Sequence, residues 1–274
     1  MAAINGTISD SDSDSREDVG ASLGSDKLVG SDRVLAVLTE LAQHPDGISL
    51  EDLSRVVQSP KSTTHRALAA LRRAGFASRN ARGHYVLGDK LLRLAFAHYE
   101  ARPDHLRMQT TLQALVDEFH ETVHYTVLDG RSVIYRAKVD PAAGAIRLTS
   151  VIGGSNPAHL TAAGKLLLSY RLTDEAAVRN WVEAAPLERR TDNSKVTVGR
   201  LHRELTLTRE RGYGVDDQEN EVGVNCLALP VFLGSPAMPT GAVSISAVAY
   251  RTPLKALEEA VPRIRQIMEE RGAI

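Results

Sequence analysis

His120-Glu121-Thr122-Val123-His124 spells H-E-x-x-H, the pattern with which a helix presents two imidazoles and a general base to zinc. That chemistry needs both histidines one helical turn apart on one face. Thr122 and Val123 instead open an alternating Val123, Tyr125, Val127 run, so the pair is predicted to straddle the end of a helix and the start of a strand. Along a strand, residues four apart stand more than about 12 Å from each other, too far to share a metal. No third ligand follows at short range, so no metal is expected and both histidines are assigned surface or turn roles. Cys226, the only cysteine, lies in an apolar run with Val224, Leu227 and Leu229, the setting of a small buried hydrophobe. No base or orienting group is legible beside it, so no catalytic residue is assigned.

Two other groupings point to binding. Ser244 and Ser246 are two apart in a strand-like run and share a face, with Val243, Ile245 and Ala247 on the other. Such hydroxyls can donate to the oxygens of a small anion, or else to neighbouring backbone. Ala162 and Ala163 precede Gly164-Lys165 at the start of a predicted helix, where free N–H groups favour a carboxylate and small side chains let it approach. Earlier, Ser59-Pro60 opens a stretch without an acid as far as Ala74 that carries Lys61, Arg66, Arg72 and Arg73. Ser62, Thr63, Thr64 and His65 add short polar groups able to reach base edges or phosphates.

These residues need elements to hold them. Val34, Leu35, Leu38 and Leu41 predict a helix that stops at His44-Pro45-Asp46-Gly47. Ser49 to Asp52 has capping-box form and opens a second helix through Val56. For the third, Ser59 is expected to cap while Pro60 takes the first helical position; Leu68 and Leu71 face inward and Gly75 ends it. Ala77–Asn80 and His84–Leu87 predict a hairpin around Arg82-Gly83, with Arg79 and Arg82 as phosphate contacts on the wing. Three short helices followed by a hairpin is the order of a winged helix-turn-helix. Leu91, Leu94 and Ala95 continue a helix up to Arg102-Pro103, and Leu112, Leu115, Val116 and Phe119 mark another.

Beyond that the pattern becomes mixed. Strands are expected at 123–127 and 133–135 around Asp129-Gly130, and at Ile146–Val151, Asn225–Phe232 and Gly241–Ala249. Helices are expected near Ala162–Leu172, Leu201–Arg211 and Leu254–Met268, the last kinked or broken at Pro262. The fold class is α+β.

The chain has 274 residues, enough for two domains. It has no run of about eighteen apolar residues and no secretory leader, so a soluble, cytoplasmic protein without a membrane partner is expected. One cysteine excludes an intrachain disulfide framework. The formal net charge of −1 hides an uneven distribution. Residues 1–27 hold six acids against Arg16 and Lys27, whereas residues 28–99 hold ten Lys/Arg against six Asp/Glu. The Ser/Asp-rich leader is too polar to build a core and reads as a disordered acidic tail.

Several segments, in order, resemble the IclR family of bacterial transcription regulators. They are Ser59 to Arg66, Gly83-His84-Tyr85-Val86-Leu87-Gly88, His159-Leu160-Thr161-Ala162-Ala163-Gly164-Lys165, Glu210-Arg211-Gly212-Tyr213, Asp216 to Glu221, Gly223-Val224-Asn225-Cys226, and Ser244-Ile245-Ser246. The acidic tail at 1–27 is not a feature of that family; beyond it the resemblance implies a winged helix-turn-helix at 28–89, a linker helix at 90–102 and a GAF-like (PAS/profilin-like) effector-binding domain at 103–274. It implies a homodimer or dimer pair that binds a double-stranded DNA operator, and a small organic-acid effector that modulates this binding. Repression is the expected direction and activation the alternative; hydrolysis by the C-terminal domain is the outlying one. Read through the resemblance, Ser59, Lys61, Ser62, Thr63, Thr64, His65, Arg66, Arg79 and Arg82 face DNA. Leu148, Asn156, Ala162, Ala163, Asp216, Val224, Cys226, Ser244 and Ser246 form the effector pocket. Asp216 is expected to meet a hydroxyl rather than the acid itself. No cofactor is implied.

Overall fold

Val37 and Leu41 bury one side of α1 (Gly30–Ala42) against Leu53 of α2 (Leu50–Val56) and Leu68 and Leu71 of α3 (Lys61–Ala74). The computed structural model describes residues 30–100, 103–142, 150–233 and 236–274. The acidic leader, Leu148 and most of the expected Ile146–Val151 strand lie outside the described residues. Among the described residues, no helix is long and apolar enough to cross a membrane.

The capping box forms as expected: Ser49 Oγ accepts the Asp52 N–H at 3.1 Å and donates to its carboxylate at 2.7 Å. The start of α3 differs from expectation. Pro60 itself is the N-cap, with φ −54° and ψ 141°, so its extended backbone delays the helix to Lys61. Ser59 caps nothing; its hydroxyl is buried without a hydrogen-bond partner. Gly75 ends the helix in the left-handed region at φ +81°, which glycine enters without a Cβ clash. Strands β1 (Ala77–Arg79) and β2 (Tyr85–Leu87) pair antiparallel, each one residue shorter than predicted. Asn80 and His84 instead close the turn through a 2.9 Å backbone bond. A winged helix-turn-helix results, and α4 (Asp89–Glu100) leads out of it.

In the second domain, α5 (Pro103–Phe119) precedes β3 (Thr122–Asp129), β4 (Ser132–Val139), β5 (Ser155–Pro157), α6 (Ala162–Arg171), α7 (Glu175–Glu183) and α8 (Val198–Arg211). Strands β6 (Gly214–Asp217), β7 (Val224–Val231) and β8 (Gly241–Val248) follow, then α9 (Leu254–Glu259) and α10 (Val261–Glu270). The expected helix breaks at Ala260, with Pro262 in the first turn of α10, where its missing N–H is harmless. The six strands of this domain form one antiparallel sheet in the order β5-β4-β3-β8-β7-β6.

Alternation gives the sheet two unlike faces. Val123, Tyr125, Leu227, Leu229, Val243 and Ile245 pack with Leu112 and Leu115 of α5 and with Ile264 and Met268 of α10. The other face carries His124, Thr126, Ser244 and Ser246, and α6 covers part of it by packing Ala162, Ala163, Leu166 and Leu167 on Ala228 and Ala242. A Cβ on Gly214 of β6 would meet the Ala162 carbonyl at 2.2 Å, so this close packing requires glycine there. Helices α7 and α8 cover α6 through Val178, Leu201, Leu205 and Leu168.

Candidate functional site

On α3, Thr64, Ala67, Leu68 and Leu71 form the buried face, which leaves Lys61, Ser62, His65 and Arg66 exposed and Thr63 half-buried. Thr64 cannot reach a base: its hydroxyl donates to the Pro60 carbonyl at 3.2 Å inside the domain. Ser59 is likewise buried. The helix is free of acids, as its sequence says, but folding brings Glu51 of α2 to within 3.0 Å of Lys61 Nζ. On the wing, the Arg79 guanidinium lies 4.6 Å from the Tyr85 ring centroid and donates to its hydroxyl, while Arg82 projects from the turn. Asn80 fastens that turn by donating to the Asp46 carbonyl at 3.0 Å. The exposed face of α3 and the wing thus both carry exposed cations, which suits contact with phosphates.

The second site is a cavity of about 410 Å³ on the polar face of the sheet. Asn156, Val224, Cys226 and Ser246 line it, four of the residues expected there. Ser246 and Cys226 are cross-strand partners, and the thiol donates to the Ser246 hydroxyl at 3.1 Å. Burial, with the nearby Asp216 carboxyl, pushes the thiol's pKa far up, so it stays protonated and is a poor nucleophile.

Other expected residues sit elsewhere. Ala162 and Ala163 do not line the cavity; they are in the α6–sheet packing, and Thr161 caps that helix by accepting the Gly164 N–H at 3.0 Å. Ser244 is buried one pleat further along β8. Asp216 also lies outside the lining, because its Oδ1 accepts the Glu219 N–H at 2.7 Å and shapes the turn after β6. Burial raises its pKa to about 7, against the pull of Lys165.

The sequence reading missed several lining groups. His124, given a surface or turn role, is buried in β3: its Nε2 lies 2.8 Å from Ser150 Oγ, and its Nδ1 has no partner. Desolvation, reinforced by Lys138, lowers its pKa to about 3, so the ring is neutral. His120, by contrast, is an exposed turn residue at φ +55°. The two histidines of the H-E-x-x-H pattern therefore straddle an element boundary. Glu121 between them holds Arg251 and accepts from the Thr252 hydroxyl at 2.7 Å. The Tyr135 ring lies tilted, 4.8 Å from that of His124, and its hydroxyl accepts from Asn156 Nδ2 at 2.9 Å; burial raises its phenol to about 12.

Arg190 was missed as well. Its Nη1 bridges the Asn156 and Asn220 side-chain oxygens at 2.6 and 2.7 Å, and its Nε donates to Glu188 at 2.8 Å. Ser194 pins this loop: its hydroxyl accepts the Arg190 and Thr191 N–H groups at 3.1 and 3.0 Å and donates to the Glu219 carbonyl at 2.9 Å. Glu219 is itself anchored, fully buried, on Lys165 of α6 and on Lys195 at 2.8 Å. Such a loop has no periodicity, so only the fold could place Arg190 opposite Asn156. Among the described residues, no cluster of three or more His, Cys, Asp or Glu is arranged to hold a metal.

Comparison with known proteins identifies both domains. Residues 31–81 match the IclR helix-turn-helix domain, and residues 105–270 match the domain described as bacterial transcriptional regulator IclR C-terminal. The HTH-type transcriptional regulator KdgR of Escherichia coli (strain K12) is 33% identical over 202 residues, 73% of this chain and 75% of that protein. The transcriptional repressor IclR of the same organism is 30% identical over 217 residues, 78% of each chain. The crystal structure of the Thermotoga maritima IclR superposes with a TM-score of 0.69 at 26% identity, covering 88% of this chain and 96% of that one. With a winged helix-turn-helix at one end and a ligand-binding domain at the other, the chain belongs to the IclR family of bacterial transcriptional regulators.

Proposed function

We propose that this regulator is a cytoplasmic repressor that binds a pseudo-palindromic operator as a homodimer or dimer pair, with an affinity modulated by a small organic acid. The observation that carries the effector half is the cavity on the polar sheet face, where Ser246, Cys226, Val224 and Asn156 converge beneath Arg190. Repression is supported by the relative named a transcriptional repressor. On the DNA side, Lys61, Ser62, Thr63, His65 and Arg66 face the operator, and Arg79 and Arg82 take phosphates. Ser59 and Thr64 serve the fold of that domain.

A paired titration tests this: small aliphatic, aromatic and sugar acids are first screened by thermal shift, then operator binding is measured with and without each hit. Ser246→Ala should weaken acid binding by about 0.5–1.5 kcal/mol, the loss expected when a bound molecule loses one ordinary hydrogen bond. Its operator affinity without acid should match wild type. If Ser246→Ala and Asn156→Ala both leave acid affinity unchanged, the effector binds elsewhere. If no acid alters operator binding, the effector class is wrong.

A further inference from the structure

The cavity is graded in polarity from rim to floor. Arg190 stands at the rim with its side chain 31% exposed, whereas Ser246 and His124 on the floor are 6% and 2% exposed. Among the described residues, Arg190 is the only lysine or arginine in the lining. The floor groups are an imidazole, a thiol, a phenol and hydroxyls, and burial holds the first three in their uncharged forms. Directly beside them, Asp216 pairs in register with Cys226. An anionic group pressed to the floor would exchange its hydration for neutral donors while approaching a buried carboxyl, since the nearest cations, Lys138 and Lys165, are already paired with Asp140 and Glu219. At the rim it gains a guanidinium and keeps contact with water, which screens the exposed Glu221 carboxylate that also lines the cavity.

That guanidinium is already oriented. Asn156 and Asn220 take its Nη1 protons at 2.6 and 2.7 Å and so hold it across the mouth. Its other edge is occupied by Glu188, with Oε1 2.8 Å from Nε and Oε2 3.4 Å from Nη2. This is the forked arrangement in which a carboxylate meets arginine. The Glu188 side chain is 52% exposed and the second contact of its fork is long, so water screens the pair and Glu188 can be displaced.

We propose that Arg190 anchors the effector's carboxylate at the rim by exchanging Glu188 for it, and that the cavity therefore selects monocarboxylic acids with an uncharged tail over dicarboxylates. This rests on the organic-acid reading above and adds the orientation and the subclass.

The test uses the full chain and two matched sets: pentanoate, pentanamide and glutarate, then 4-methylbenzoate, 4-methylbenzamide and terephthalate. Affinities are measured by calorimetry on wild type, Arg190→Gln, Arg190→Lys, Glu188→Gln and Ser246→Ala. In at least one set, wild type should bind the monoacid about tenfold or more tightly than its amide, and bind the diacid more weakly than the monoacid. Arg190→Gln should bring acid and amide within about twofold of each other, whereas Arg190→Lys should retain part of the preference. Glu188→Gln should raise acid affinity about two- to fivefold and leave the amide unchanged. Because acid is compared with amide on one protein, general damage to the loop, which weakens both, does not mimic the result.

An acid preference that persists in Arg190→Gln, a diacid that binds as tightly as its monoacid, or a Glu188→Gln variant with unchanged acid affinity would each overturn the proposal. In those cases a loss of binding in Ser246→Ala would still leave the cavity as an organic-acid site. If none of the acids binds wild type, the proposal and the organic-acid reading fall together.

Discussion

Asp216 shows how a residue can shape a site from outside its lining. Its carboxyl receives the Glu219 N–H and shapes the turn that presents Asn220 to Arg190. Burial raises its pKa from 3.8 to about 7, so between those values the folded protein retains a proton that the unfolded chain has released. Its contribution to stability is therefore greatest below about pH 4 and is lost as pH rises to about 7. Asp216→Asn keeps an acceptor for the turn but has no proton to lose. Urea unfolding at pH 5 and pH 8 should show wild type losing more stability between the two than Asp216→Asn does. Equal losses would mean that this carboxyl is ionised throughout. The sequence marked Asp216 as a pocket residue by its place in a motif, but whether a buried carboxyl meets a ligand or its own backbone depends on the local turn.

At the scale of the element, α3 divides its polar residues between two jobs that the sequence does not separate. The buried stripe of Thr64, Ala67, Leu68 and Leu71 fixes which side faces out, and that side carries Lys61, Ser62, His65 and Arg66. Arg66→Ala should weaken operator binding by about 1–3 kcal/mol and relax sequence preference if Arg66 reads a base. Lys61→Ala should instead weaken all sites alike and lower the salt slope by about one unit. Thr64→Val, which loses a buried hydroxyl bonded to Pro60, should lower stability by about 1 kcal/mol and leave intrinsic operator affinity unchanged. Gel-shift titrations at several salt concentrations, with thermal unfolding in parallel, separate these outcomes. A Thr64→Val protein that folds normally yet loses operator binding would place that hydroxyl on the DNA.

For the whole molecule, α4 is the exposed apolar element. Leu92, Leu94 and Phe96 are 52%, 52% and 60% exposed on this helix, a poor arrangement for a chain that remains single. A pseudo-palindromic operator needs two reading helices about one DNA turn apart, which a second copy supplies. In the proposed dimer these side chains are covered by the partner. Leu94→Glu combined with Phe96→Glu should halve the sedimenting mass and abolish specific operator binding. Acid binding in the distant cavity should persist. A variant that stays dimeric would put the interface on another surface.

The sequence by itself determined most elements and their order. Capping signals at Ser49, the glycine at Gly75 and the alternation through Val123, Tyr125 and Val127 act within a few residues, so they are readable from local pattern. It also separated His120 from His124, because the change from helix to strand lies between them. It did not reveal α7, or β5 and β6, which at three and four residues are too short to show alternation. Only the tertiary structure decided which polar groups meet. Ser246 and Cys226 come together through strand pairing across 20 residues, and Arg190 reaches Asn156 across 34. Ala162 and Ala163 had the small side chains and helix position expected of an anion site, yet close packing of α6 on the sheet uses both. Local pattern specifies backbone and facing; the cavity arises from contacts between segments far apart in sequence, whose partners no single segment encodes.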